Sequence, residues 1–283
     1  LEIVGIGQEG HSPDQPLSYL EALHQPDFLH QRLLPTLDDQ ITRKISHVDY
    51  LREQYGSELR LVLIGHSVGV YICQEVLKAR PNAIDAVFGL FPTICHIAMS
   101  PSGIRLSPIF RAPSITLVAT LLTLLNFLIP FAALHLLVRL ATGQRMPASK
   151  VTTQLISSPA VVASCLAMGA DEMCAIEDLD EACTTVLYEF GSRITLYFAA
   201  GASDGWVGSH ERILTITTAL DKSKQPGDER KRPVRGVAGK ASGQLIVYLK
   251  KEDKRPIIVA TYLLVSQYTI IDAIDPDRRH PFY

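Results

Sequence analysis

The chain shows no marked excess of charge of either sign, with 27 Lys and Arg against 29 Asp and Glu in 283 residues. A nucleic-acid-binding domain needs a basic patch to neutralise phosphates, so this balance argues against such a partner and leaves lipid surfaces open. Cysteine is scarce: five residues, an odd number, are scattered from Cys73 to Cys183. That excludes a disulfide framework, and Cys165, Cys174 and Cys183 lack the spacing of metal ligands. All five read as buried or free thiols of an intracellular protein. There is no phosphate-cradling loop, no dinucleotide fingerprint and no ligand cluster, so neither a cofactor nor a metal is expected. No secretory signal opens the chain. Leu1 stands where a Met would begin a gene product, and the sequence is expected to start inside a longer one. What the chain has in quantity is apolar residues, 47% of the total. That share excludes a disordered or collagen-like chain, and 283 residues suffice for one sizeable core, or for one core plus an inserted cap.

The periodicity supports alternating strands and helices. Residues 1–7 read as a short buried strand running into a loop. Ile41, Ile45, Val48 and Leu51 form one apolar stripe on a helix, with Asp38, Asp39, Arg43, Lys44 and Arg52 on its other faces. Residues 59–64 are dense in branched side chains and short enough to be a strand buried on both faces. A tight turn follows at 65–69, then a helix over 70–78 and another buried strand over 83–91. This is the βαβ alternation of a mostly parallel sheet with helices on both faces, an α/β fold. Residues 92–113 read as a Pro-, Ser- and Gly-rich excursion, 159–176 as a helix and 193–199 as a further strand. Beyond Leu220 the pattern changes. Residues 222–240 are basic and read as a solvated loop, while 244–249 and 257–271 each have strand character. The expected division is 1–92 for the N-terminal part of the core, 93–150 for a hydrophobic insertion, and 151–283 for the C-terminal part, with an atypical tail from about 221.

One long stretch departs from soluble character. From Ser114 to Val138 there is no charged residue, and Pro130 interrupts the run near its middle. Three structures suit it: a single membrane-crossing helix, a buried pair of cap helices, or a hairpin lying in one leaflet with Arg111 and Arg139 at headgroup level. The hairpin is the expected form, and residues 114–138 are therefore the expected contact with a lipid surface.

The chemistry begins at Gly65-His66-Ser67-Val68-Gly69, a G-x-S-x-G sequence between a predicted buried strand and a predicted helix. That context makes the motif a nucleophile elbow, the mark of an α/β-hydrolase. Ser67 is the candidate nucleophile, held at a helix N-terminus whose dipole favours negative charge. The backbone N–H of Val68 is the candidate oxyanion donor. His66 reads as an elbow residue rather than the base. A serine hydroxyl needs a base oriented by a carboxylate, and in this fold the chain order is Ser, then Asp or Glu, then His. Asp204 suits the acid, in a Gly- and Ser-flanked loop just past a strand, with Trp206, the only Trp, nearby. Two histidines follow it, His210 and His280. His280 has the right chain order and is the candidate base; His210, six residues past Asp204 at the start of a predicted helix, stays open as the alternative.

Taken together, Gly65-His66-Ser67-Val68-Gly69, Leu90-Phe91-Pro92-Thr93-Ile94 with Ser100-Pro101-Ser102-Gly103, and Asp204-Gly205-Trp206-Val207 make the sequence resemble the lipid droplet-associated serine hydrolase family. The resemblance runs from about Gly5 to Leu220. It implies an α/β-hydrolase whose hydrophobic insertion, Ser114–Val138 here, holds it on the lipid droplet monolayer or the endoplasmic reticulum membrane. It implies also a proposed activity on sterol esters or neutral lipids. A droplet carries a monolayer over oil, which a hairpin suits and a spanning helix does not. It also implies Ser67 as nucleophile and Asp204 as acid. The family's strand with a Pro-Gly-Asn-Pro-Gly loop, which supplies part of the oxyanion hole, has no counterpart here. Its histidine sits in a His-(Ala/Gly)-Phe motif nearer the acid, whereas this chain has His280-Pro281-Phe282. The expected function is thus a serine ester hydrolase acting on lipid. The alternative is a catalytically weak or inactive droplet protein that organises droplets, and acyl transfer by the same nucleophile stays open beside both.

Overall fold

The computed structural model describes residues 2–8, 35–177, 181–199, 204–208, 213, 216, 236–238 and 257–262. The chain divides into two compact units, one of Leu1–Gly7, Ile41–Pro101 and Ile176–Tyr283, the other of Gln8–Gln40 and Ser102–Ala175.

The first unit is a parallel sheet. In chain order its strands are β1 (Glu2–Gly5), β2 (Arg60–His66), β3 (Ala86–Leu90), β4 (Ile194–Ala199), β5 (Gly236–Ala238) and β6 (Ile257–Tyr262). In space the order is β1-β6-β2-β3-β4-β5, every neighbouring pair parallel. Five consecutive residues of β2, Leu61 to Gly65, are buried. Successive strand residues point to opposite faces, so an unbroken buried run means that both faces of β2 are covered. Helix α1 (Leu37–Tyr55) precedes β2; of its predicted stripe Val48 and Leu51 are buried and Ile41 and Ile45 half-buried. Lys44, expected on another face, is instead buried and donates its Nζ to the Gly7 carbonyl at 2.7 Å. Helix α2 (Val68–Ala79) packs on β2 and β3. Val70, Ile72, Cys73, Val76 and Leu77 are all fully buried, and spacings of three and four residues link them along the helix.

The edge of this sheet where its strands begin is fixed by charge. Asp85 accepts the Leu61 N–H at 2.8 Å and lies 3.7 Å from Arg60. Arg52 donates to the carbonyls of Ser57, Leu59 and Ala83, and Arg193 donates to those of Pro81 and Ile84. These guanidinium groups satisfy loop carbonyls that no ladder reaches.

The second unit is helical. Between α3 (Pro101–Leu106) and α7 (Pro159–Ala175) lie α4 (Ala112–Leu128), α5 (Phe131–Thr142) and α6 (Ala148–Ile156). Pro130 breaks α4 from α5, as the sequence predicts, because proline lacks an N–H and restricts the residue before it. Helices α4 and α7 pack through small residues, with Ala119 and Ala163 buried against Ile115 and Ala160. Gly169 makes room for an aromatic ring: a Cβ there would lie 2.4 Å from Phe110 Cε1. The hydroxyls of Thr120 and Thr123 bond back to carbonyls one turn earlier. Asn126 donates to the Ile156 carbonyl and His135 bonds Ser149 at 3.0 Å. Polar groups in the apolar stretch are thus satisfied within the unit.

The uncharged stretch does not form a membrane-crossing helix. Among the described residues no single helix is long and apolar enough to cross a bilayer, although α6 and α7 together meet that measure with a 91° bend between them. On α4 and α5, Leu117, Leu121, Leu124, Phe127, Leu128, Leu136 and Leu140 are more than half exposed. Three elements differ from the sequence reading. Residues 92–113 contain a 3-10 turn (Ile97–Met99) and α3, the latter begun by a proline at a position where its missing N–H costs nothing. The basic stretch 222–240 contains β5. Of the predicted strand 257–271, residues 257–262 are described as β6; the predicted strand 244–249 lies outside the described residues.

Candidate active site

Ser67 stands between β2 and α2 with φ 54 and ψ −124. A non-glycine residue in this conformation is strained and is held only where its surroundings over-determine it. The turn is fixed on both sides. The Ser67 N–H donates to the Leu90 carbonyl at 2.9 Å, and the Ser67 carbonyl accepts from Val70 at 3.0 Å and from Thr93 at 3.5 Å. Gly65 permits the close approach of strand and helix, since a Cβ there would lie 2.4 Å from the Gly69 carbonyl oxygen. Val68 is the first residue of α2 and is buried. Its N–H is one of the N-terminal helix donors that have no intrahelical acceptor.

Asp204 lies beyond β4. Its Oδ1 accepts the N–H groups of Trp206 at 2.8 Å and Val207 at 3.1 Å, which closes the loop on itself. The structure brings this carboxylate into electrostatic range of the elbow. Burial pushes the His66 imidazole below its ordinary pKa, and the Asp204 charge opposes that shift. Among the described residues the buried His66 Nδ1 has no hydrogen-bond partner, and its ring meets Phe91 edge-on with centroids 5.7 Å apart. His210 and His280 both lie outside the described residues.

Two features of the site escape a reading of the sequence. The first is Thr93, which is 2% exposed and whose hydroxyl lies 3.4 Å from Ser67 Oγ. The second is β6, which runs beside β2 with Tyr262 paired to Gly65. The signal for Thr93 was its place just past β3, because the C-terminal ends of adjacent parallel strands converge on one edge. Among the described residues no group of three or more His, Cys, Asp or Glu side chains is arranged to hold a metal ion. A surface groove lined by Asp49, Arg52, Arg80 and Asn82 lies toward the opposite end of the strands from Ser67.

A parallel sheet with a strained serine on the strand-to-helix turn, and a carboxylate in the loop after the second strand beyond it, defines an α/β-hydrolase. The family model described as "Lipid-droplet associated hydrolase" matches residues 1–223, and the chain belongs to that family. The lipid droplet-associated hydrolase of Gallus gallus is 28% identical over 206 residues, which cover 71% of this chain and 60% of that protein. Those of Mus musculus and Homo sapiens are each 29% identical over 171 residues, covering 60% of this chain and 50% of theirs. The chain therefore spans about half to three-fifths of the length of these curated relatives. Among solved structures it is similar to a haloalkane dehalogenase of Agrobacterium tumefaciens, with TM-score 0.44 and 12% identity over 80% of this chain and 66% of that one.

Proposed function

We propose that the chain is a carboxylic ester hydrolase that cleaves sterol esters or neutral lipids at the surface of a lipid droplet or of the endoplasmic reticulum. Ser67 Oγ attacks the ester carbonyl carbon while its proton passes to an imidazole base, assigned to His280. Asp204 orients that imidazole and offsets the charge it acquires. The Val68 N–H donates to the developing oxyanion, an interaction worth about 3 kcal/mol in such sites. The carbon–oxygen bond to the alcohol then breaks and the alcohol leaves with the imidazolium proton. Water, deprotonated by the same base, cleaves the acyl-serine and releases the fatty acid.

The observation that carries this reading is the Ser67 backbone at φ 54 and ψ −124, held by bonds from two elements. Such strain persists where a side chain must be presented at a fixed point. The many exposed large apolar side chains on α4 and α5 support the choice of a lipid surface, because such groups gathered on two successive helices suit an apolar partner. The hairpin is read as lying in one leaflet.

The test has two parts. Hydrolysis of an emulsified sterol ester and of a triacylglycerol is measured for the parent protein and for Ser67→Ala, and droplet localisation is measured after deletion of residues 115–137. Hydrolysis lost in Ser67→Ala and a cytosolic deletion variant are expected. Hydrolysis absent from the parent with droplet binding intact would favour a non-catalytic droplet-organising protein. Unchanged droplet targeting of the deletion variant would remove the hairpin from the account.

A further inference from the structure

We infer that Thr93 is a positioning residue for the nucleophile, its hydroxyl holding the Ser67 side chain toward the β3 side of the elbow. The inference rests on the reading of Ser67 as nucleophile and adds to it a residue outside the Ser, Asp and His set.

Thr93 is tied to the elbow twice. Its hydroxyl lies 3.4 Å from Ser67 Oγ, and its N–H donates to the Ser67 carbonyl at 3.5 Å. The side chain is 2% exposed, so water is a poor substitute as partner, and a buried hydroxyl left unpaired costs free energy. Ser67 Oγ is the partner that the structure gives it. The contact is long for a hydrogen bond between hydroxyls, which suits a group that guides a rotamer without locking it.

The segment carrying Thr93 is itself fixed. Phe91 is left-handed at φ 49, and its N–H donates to the Tyr197 carbonyl at 2.8 Å, at the end of β4. Pro92 follows, restricting the chain further. Ile94, Cys95 and Ile97 are buried, and His96 is again left-handed at φ 49, its N–H donating to the Glu177 carbonyl. A hydroxyl on a segment pinned to β4, at the elbow and at residue 177 can define a direction for its partner. Asp204 comes from the loop after β4, so the β3 side of the elbow is also the side from which the acid comes. Without the Thr93 hydroxyl the Ser67 side chain is freer among the staggered rotamers its backbone allows, and only one of them directs Oγ at both base and substrate.

The experiment measures the second-order rate at which a fluorophosphonate phosphonylates the whole chain, for the parent, S67A, T93V and T93S. In this step the Ser67 Oγ–phosphorus bond forms, the phosphorus–fluorine bond breaks, fluoride leaves and the serine proton passes to the base. T93V keeps the shape and removes the hydroxyl; T93S keeps the hydroxyl and removes a methyl. A fall of about tenfold in T93V, with T93S within about threefold of the parent, is expected. With an ester substrate, the T93V loss falls on kcat and leaves KM unchanged. Equal rates in the parent and T93V overturn the role of Thr93 while leaving Ser67 as nucleophile. Equal losses in T93V and T93S also overturn it, because packing would then be the cause. No labelling of the parent overturns both. Should T93V fold poorly, T93A against T93S carries the same comparison.

Discussion

Gly65→Ala is the substitution that most sharply tests the geometry of the elbow. A Cβ on Gly65 would lie 2.4 Å from the Gly69 carbonyl oxygen, 2.5 Å from its carbon and 2.7 Å from the Val70 nitrogen. All three are backbone atoms in the first turn of α2, and no rotamer change can move them aside. Ordinary contact begins at 3.4 Å, so strand and helix must separate by roughly 1 Å. Overpacking of this kind costs about 1–3 kcal/mol, and rigid neighbours place this case near the upper end. For a domain of this size that lowers Tm by roughly 6–12 °C. The displacement falls on the helix that carries the Val68 N–H, so fluorophosphonate labelling falls further than stability does. Gly7→Ala is the control, since a Cβ at Gly7 meets nothing within 4 Å among the described residues. Thermal unfolding followed by circular dichroism, with labelling measured well below Tm, gives both readouts. A Gly65→Ala protein matching Gly7→Ala in Tm and in labelling would refute the reasoning.

Asp204→Ala removes the carboxylate oxygen that accepts the Trp206 and Val207 N–H groups, so it costs about 1–2 kcal/mol in denaturant melts. It also lowers the labelling rate by roughly three orders of magnitude, because the base loses its orienting carboxylate; a labelling rate equal to the parent's would remove Asp204 from the site. Burial, and then the neighbouring Asp171 carboxylate, push the Glu172 carboxyl from 4.5 up to about 8. Between those values the folded state keeps a proton that the unfolded chain has released, so stability falls as pH rises through this window and levels off above it. Urea midpoints at pH 5, 7 and 9 should follow that fall in the parent and run flat across it in Glu172→Gln. Cys174 is exposed whereas Cys73 and Cys95 are buried, and burial raises the Cys73 thiol well above its ordinary pKa. A maleimide in native buffer should therefore mark Cys174 and leave Cys73 and Cys95 unmodified until denaturant is added, as peptide mass mapping would show.

Local physics was the legible part. The run before Gly65 announces a strand buried on both faces, and G-x-S-x-G after it announces the elbow; the structure has Arg60–His66, then Ser67, then Val68–Ala79. Pro130 announces the break between α4 and α5 for the same kind of reason. What the sequence hides is pairing between distant segments. Residues 257–262 have strand character, yet nothing in them says that they lie between β1 and β2, because a fully buried strand lacks the one-sided pattern that specifies a neighbour. Gly236–Ala238 is too short, and too poor in branched residues, to stand out from its basic flanks. Thr93 reaches Ser67 across 26 residues only because parallel strands end on one edge. The base is assigned by chain order alone, and His280 lies outside the described residues.

Activation of Ser67 is read out by incubating the chain with a fluorophosphonate, followed by intact mass and peptide mapping, alongside Ser67→Ala. One adduct is expected, carried on the peptide containing Ser67 and absent from Ser67→Ala. An unmodified parent protein, or an adduct that survives in Ser67→Ala, would show that Ser67 is not an activated nucleophile.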